Sequence, residues 1–319
     1  MGFLLVWPPQ SSILYAQAIR PHKQKFVRKL SLATLGGKCG YTVERYSSKL
    51  HDVCWQRSRS HAKYGRRISV MFTSLNPRAI GFTVPFAEAL ELASTNGFEG
   101  LDLPVQELSE LSQQTSLQSI KERFEIAHLR SGGWSLPVDF RHDEDTYQDD
   151  LAKLASYASI AQALESPWCT TGILPFSDQL DYNANMAFHI RRLRPVAQIL
   201  ADHGCQLGLE FIGPRTLRQG HRYEFIATMA EALELGDQLG SGNTGLLLDC
   251  WHWYTAHGTL DDLKHLTAKQ VTYVHVNDAP TDLEIDAQID NQRLLPGASG
   301  IIDIAAILQV LDHMKYDGP

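Results

Sequence analysis

Three residues each close an apolar run with a group that binds cations or protons: Glu210 in GLEFIGPRT, Asp249 in GLLLDCWHW and His275 in VTYVHVND. A carboxylate at the end of a buried strand is costly unless it is paired or bound to a cation. Two carboxylates and an imidazole converging on one place suit a divalent ion with open positions, namely Mn²⁺, Mg²⁺, Co²⁺ or Zn²⁺. Such an ion with open positions acts as a Lewis acid on a bound oxygen. Around the three stand His252, three residues past Asp249, Arg293 in NQRLLPGASGIID, and His128, read as ending a third strand and facing the same place. An arginine fork there would fix a substrate and lower the entropic part of the barrier. Trp134, Phe211, Trp251 and Trp253 could line the same mouth. Singly, each residue has a blander reading: a Glu bonded to nearby backbone, a satisfied core His, or ordinary core aromatics. The joint pattern is what carries the chemistry.

Positioning these groups requires strands that end together. Apolar runs at Met71–Leu75, Gly100–Leu103, Phe124–His128, Trp168–Ile173, Gln206–Phe211, Gly245–Asp249 and Val271–Val276 read as strands. Several lack polar alternation, as in a parallel sheet covered by helices. Between them lie helical patterns over Pro85–Asn96, Leu108–Arg123, Thr146–Leu164, Arg191–His203, Tyr223–Leu235, Asp261–Leu266 and Ile302–Met314. Gly97 and Gly204 follow two of these as C-terminal stops. A doubly wound sheet gathers its site at one switch point, commonly with a glycine-rich turn, and no GxGxxG or GxxxxGK[ST] occurs. Polar groups at the carboxyl ends of many strands point instead to a (β/α)₈ barrel over residues 71–319.

At these motifs the sequence resembles the xylose isomerase-like TIM barrels of the sugar-phosphate isomerase/epimerase group, which includes ketose 3-epimerases and inosose dehydratases. The resemblance spans 71–319 and rests on the LE of strand 5, LLLDxxHW of strand 6, HVND of strand 7 and the RLLPG beyond it. It implies that Glu210, Asp249 and His275 are metal ligands, that Glu210 is also one of two acid/bases, and that His252 and Arg293 hold substrate oxygens. The implied reaction is proton abstraction alpha to a carbonyl of a small sugar, polyol or sugar phosphate, with reprotonation of the enediolate elsewhere. Dehydration of an inosose-like substrate is a close variant.

Two departures accompany it. Relatives continue past a GYDGP-like segment into an eighth strand carrying a second glutamate, whereas this sequence ends at Tyr316-Asp317-Gly318-Pro319. The expectation is therefore a fragment: a barrel lacking strand 8 and helix 8, with strands 7 and 1 left as unpaired edges and activity lost or nearly so. In LPGASG, Ala298-Ser299 replaces an acidic residue of relatives, and this glycine-flanked turn is a candidate anion site before the Ile302 helix.

Charge divides the 319 residues. Residues 1–70 hold 13 Lys and Arg against Glu44 and Asp52, while residues 71–319 carry a net charge of −18 within a total of −7. The first segment reads as a disordered basic leader or mis-started sequence, with an organelle transit peptide or nucleic-acid arm as alternatives. An acidic barrel would repel a phosphate backbone. An apurinic endonuclease-like phosphodiesterase of the same superfamily, the main alternative along with a non-catalytic fragment, would need histidine and aspartate where Asn291-Gln292-Arg293 stands. No run of about 18 apolar residues is present, so no membrane helix is expected. Cys39, Cys54, Cys169, Cys205 and Cys250 have no metal-site spacing and read as reduced thiols of a cytoplasmic protein. Nothing in the sequence excludes a homo-oligomer.

Overall fold

The computed structural model describes residues 70–319 and, before them, the backbone of two short strands, Ala33–Leu35 (β1) and Lys38–Gly40 (β2), paired antiparallel. The readings of the remaining leader, and of Cys54, lie outside the described residues.

From residue 74 onward the chain is a TIM-barrel-like α/β fold. Its first part is a parallel sheet of Ser74–Leu75 (β3), Gly100–Leu101 (β4) and Arg130–Ser131 (β5). The second runs in the order β12-β11-β9-β7-β6 through Val271–His275 (β12), Thr244–Asp249 (β11), Gln206–Phe211 (β9), Trp168–Ile173 (β7) and Trp134–Ser135 (β6), again all parallel. The strands at 168, 206, 244 and 271 fall where the apolar runs predict them. Leu207, Leu209, Leu246 and Leu248 are fully buried, each such side chain contributing roughly 1.5–3 kcal/mol of hydrophobic stabilisation. Helices cover these strands: Tyr182–Asp202 packs on β9, and Met229–Leu239 on β9 and β11. The second of these starts on a capping box made by Thr228 and Glu231 and stops at Gly240, whose φ of +75° is the left-handed conformation glycine adopts freely.

The third strand differs from its prediction. Phe124–His128 belongs to the end of a helix, Leu117–Ile126, capped by Ser116, whose Oγ accepts from Ser119 N–H at 3.1 Å. Leu117, Ile120 and Phe124 share its inner face at helical spacing, so the apolar run is an amphipathic helix, not a strand. The strand proper follows, and it breaks into β5 and β6 at Gly132-Gly133. There Ser74 Oγ, Tyr273 Oη and Gly133 N–H all donate to Asp102 Oδ1, at 2.7, 2.7 and 3.1 Å. A side chain on Gly132 would collide with Ser74 and Asp102, and one on Gly133 with the Tyr273 ring. Burial pushes the Asp102 carboxyl upward, and its three donors only partly oppose this.

The edges of β3 and β12, expected to be unpaired, each donate to the last residues of the sequence. Phe72 N–H reaches Gly318 O at 3.3 Å, and Val274 N–H reaches Pro319 O at 3.2 Å. Tyr316 Oη donates to Pro319 O at 2.6 Å and anchors the segment. Gly318-Pro319 thus sits between the seventh and first strands.

Above the strand ends, Phe176–Ser177 (β8) pairs antiparallel with Tyr223–Glu224 (β10), tying the loops that leave β7 and β9. His221 stacks on Phe176 with ring centroids 3.4 Å apart. Cys169, Cys205 and Cys250 are free and buried. Among the described residues no helix is long and apolar enough to cross a membrane.

Candidate active site

Glu210, Asp249 and His275 stand at or next to the carboxyl ends of β9, β11 and β12, which are neighbours in one sheet. Adjacent parallel strands ending together bring the three side chains to one mouth. His275 Nδ1 lies 3.6 Å from Glu210 Oε1 and 3.6 Å from Asp249 Oδ2. The other Asp249 oxygen is occupied: Oδ1 accepts from Trp251 and His252 N–H, at 2.8 and 3.0 Å, and caps the helix Cys250–Thr255. That cap aims Oδ2 into the mouth and sets His252 beside it.

Arg293 forms the opposite wall. Its Nη1 donates to Asp249 Oδ2 at 2.8 Å and to Asn277 Oδ1 at 3.0 Å. Its Nη2 donates to Asp290 Oδ1 at 2.6 Å and meets His252 Nε2 at 3.0 Å. Asn277 Nδ2 donates in turn to Asp249 Oδ2 at 3.3 Å. A neutral imidazole has one in-plane lone pair, and the two ring nitrogens of His252 face Arg293 and, at 3.4 Å, Gly213 N–H. The shorter contact takes the lone pair, so Nε2 accepts from Arg293.

Charge follows this geometry. Burial opposes ionisation of Asp249, but Arg293 and then His275 outweigh it and hold the carboxyl well below its usual range. Burial and the Arg293 charge push His252 down, leaving it neutral. Burial also acts against a charged His275, yet the Asp249 and Glu210 carboxylates beside it prevail and push it up to about 10. Arg293 is held above its ordinary value by Asp249 and Asp290 despite burial. Three carboxylates, Glu210, Asp249 and Asp290, thus face one guanidinium.

This donor set fits a divalent ion. Ligand atoms about 2.1 Å from a tetrahedral ion stand about 3.4 Å apart, close to the two 3.6 Å separations at His275 Nδ1. Among the described residues, the group whose ligand atoms all fall within 4.8 Å of one another is Glu210, Asp249 and His252. The His252 lone pair is turned to Arg293 and the His275 ring to the two carboxylates, so either imidazole would have to give up its present partner to join them around an ion.

The other sequence candidates part company. His128 sits at the opposite end of its strand, just past the helix Leu117–Ile126, with φ of +56° and its N–H on Glu125 O. It therefore does not face the mouth, because its strand begins only at Arg130. Trp134 and Phe211 are core residues, and Trp134 Nε1 donates to Ser166 O at 3.2 Å. Trp253 is also buried, under Gly258. Trp251 is wholly buried, and its ring backs the site from behind, with the Arg293 guanidinium carbon 4.5 Å and the His252 ring 5.5 Å from its centroid. The candidate anion turn is filled from within, since Ser299 and Gly300 N–H donate to the carboxylate of Asp278. Asn277 and Asp290 are site residues that motif reading passed over, although Asn277 lies inside HVND and Asp290 directly precedes NQRLLPG. Asp290, three residues before Arg293, is the one a charge-spacing search would find.

A sequence profile described as the xylose isomerase-like TIM barrel matches residues 90–319. An inosose isomerase of Halalkalibacterium halodurans is 24% identical over 231 residues, 72% of this chain and 79% of its own. A solved xylose isomerase domain protein from Alicyclobacillus acidocaldarius matches with a TM-score of 0.71 at 30% identity, over 78% of this chain and 88% of its own. An IolI protein with a bound zinc atom matches with a TM-score of 0.62 at 21% identity, over 76% and 85% of the two chains.

Proposed function

The chain belongs to the xylose isomerase-like TIM-barrel family, and we propose that it is a metal-dependent isomerase or epimerase of a small sugar, polyol or sugar phosphate. The observation that carries this reading is the convergence of Glu210, Asp249 and His275 on one point, walled by His252 and Arg293. Relatives named inosose isomerase and 2-oxo-tetronate isomerase support a keto-polyol or keto-acid substrate of that size.

Glu210, Asp249 and His275 would hold a divalent ion, which when bound would supply Lewis-acid polarisation of the substrate carbonyl. Glu210 is the base that takes the adjacent carbon-bound proton. Its Oε1 faces the two histidines, and Oε2 lies toward Gly172, where a Cβ would stand 3.3 Å from it. Glycine keeps that side open for a substrate carbon. Arg293 is already fixed by Asp249, Asp290 and Asn277, so orienting a substrate oxygen costs little side-chain freedom. His252 presents its imidazole edge beside it.

The test is product analysis by NMR on keto-polyols, ketoses and their phosphates, with protein stripped of metal and reloaded with Mn²⁺, Co²⁺ or Zn²⁺. Turnover that returns with metal and vanishes in Asp249→Asn and His275→Gln is expected. Undiminished turnover in the stripped protein would overturn the proposal.

A further inference from the structure

We infer that Asp278, which touches neither the proposed ligands nor the mouth, is a positioning residue that holds Arg293 in place. Its side chain is fully buried, and no ion pair accompanies it among the contacts that hold it. Four backbone N–H groups satisfy it instead. Oδ1 accepts from Ala279 at 2.8 Å and Ile302 at 3.2 Å, and Oδ2 from Ser299 at 2.9 Å and Gly300 at 2.8 Å. Burial opposes the charge, and these donors overcome it, so the carboxyl stays below its ordinary range.

The same residue grips the loop through its backbone. Asp278 N–H donates to Leu294 O at 2.9 Å, and Leu294 N–H to Asp278 O at 2.8 Å, an isolated antiparallel bridge. The segment leaving Arg293 is thus pinned at Leu294 by main chain and at Ser299–Ile302 by the carboxylate, both from one residue. On its other side Asp278 follows Asn277, which bridges Arg293 and Asp249. The part of this connection before Arg293 is held separately, by the 3₁₀ turn Ile285–Ala287 and by Gln288, whose Nε2 donates to Pro280 O and Leu283 O at 3.1 and 3.0 Å. Without the carboxylate, four N–H groups lose their acceptor inside the protein, and the loop must open to water to satisfy them.

The consequence for turnover rests on Arg293 acting as the substrate clamp proposed above; the positional claim does not. Its test is NMR of protein carrying ¹⁵N-arginine, reading hydrogen exchange at Arg293 Nε–H, which donates to Asp290 O at 3.0 Å. The resonance is assigned by its loss in Arg293→Lys. In Asp278→Ala, exchange is expected to quicken at least tenfold. Formate, which fits the vacated carboxylate space, should restore it, whereas chloride at equal ionic strength should not. Asp278→Asn, which keeps one acceptor oxygen but sets an amide NH₂ against two N–H donors, should fall between. Exchange within twofold of the parent in either variant, or loss in Asp278→Ala that formate leaves untouched, would overturn the inference. If Asp278→Ala does not fold, Asp278→Asn decides alone. A protein that passes this test yet turns over no sugar would count against the proposed function only.

Discussion

Arg293 Nη1 lies 2.8 Å from Asp249 Oδ2, the same oxygen that stands 3.6 Å from His275 Nδ1. One carboxylate oxygen therefore serves both the guanidinium and the place proposed for a divalent ion. Two cations sharing an anion repel each other, by about 4 kcal/mol per pair of unit charges at 4 Å and an effective dielectric of 20. Arg293→Met is expected to bind Mn²⁺ or Zn²⁺ at least tenfold more tightly by calorimetry while losing turnover. Weaker or unchanged metal binding would mean that the arginine supports the ion instead of competing with it.

The Asp102 cluster makes a stability prediction. In Asp102→Ala, Ser74 Oγ, Tyr273 Oη and Gly133 N–H lose their common acceptor in the barrel interior. A loss of about 3–5 kcal/mol in urea unfolding is expected, against about 1 kcal/mol for Tyr273→Phe, which removes one donor and leaves two. Similar losses in the two variants would show that the tyrosine, not the carboxylate, organises the cluster.

His189 sets a pH dependence. Burial among Phe140, Phe188 and Phe225 pushes its imidazole down to about 4, with Nδ1 on Asn185 O and Nε2 without a partner. The unfolded chain binds this proton near pH 6.5 and the folded chain only near pH 4, so the contribution to stability is full above 6.5 and is lost as pH falls toward 4. The loss amounts to about 3 kcal/mol. His189→Leu should flatten that part of the stability profile between pH 7 and 4. An unaltered slope in the variant would assign the acid sensitivity to other groups.

Much of the barrel was legible because its strands are uninterrupted apolar runs of five or six residues, and the ends of β9, β11 and β12 carry the only chemistry such runs leave exposed. His128 was misplaced because a helix ending in Phe124, Glu125 and Ile126 is as apolar over five residues as a strand is. The break at Gly132-Gly133 depends on Ser74, Asp102 and Tyr273, which come from distant parts of the chain, and no local pattern shows it. Arg293 could be named from its motif. Of its holders, Asp290 shows in the sequence only as a charge three residues away, and Asn277 and Asp278 do not show at all, because an Asn or Asp in a loop gives no sign of whether it meets water, backbone or a guanidinium.

The most direct test of the central claim is deuterium incorporation at the carbon beside the carbonyl, followed by NMR in D₂O with inosose and with small ketoses. The expected result is metal-dependent exchange in the parent protein and a fall of about a thousandfold in Glu210→Gln, within the range a positioned general base supplies. Exchange of equal rate in Glu210→Gln, or none in the metal-loaded parent with any of these substrates, would contradict it.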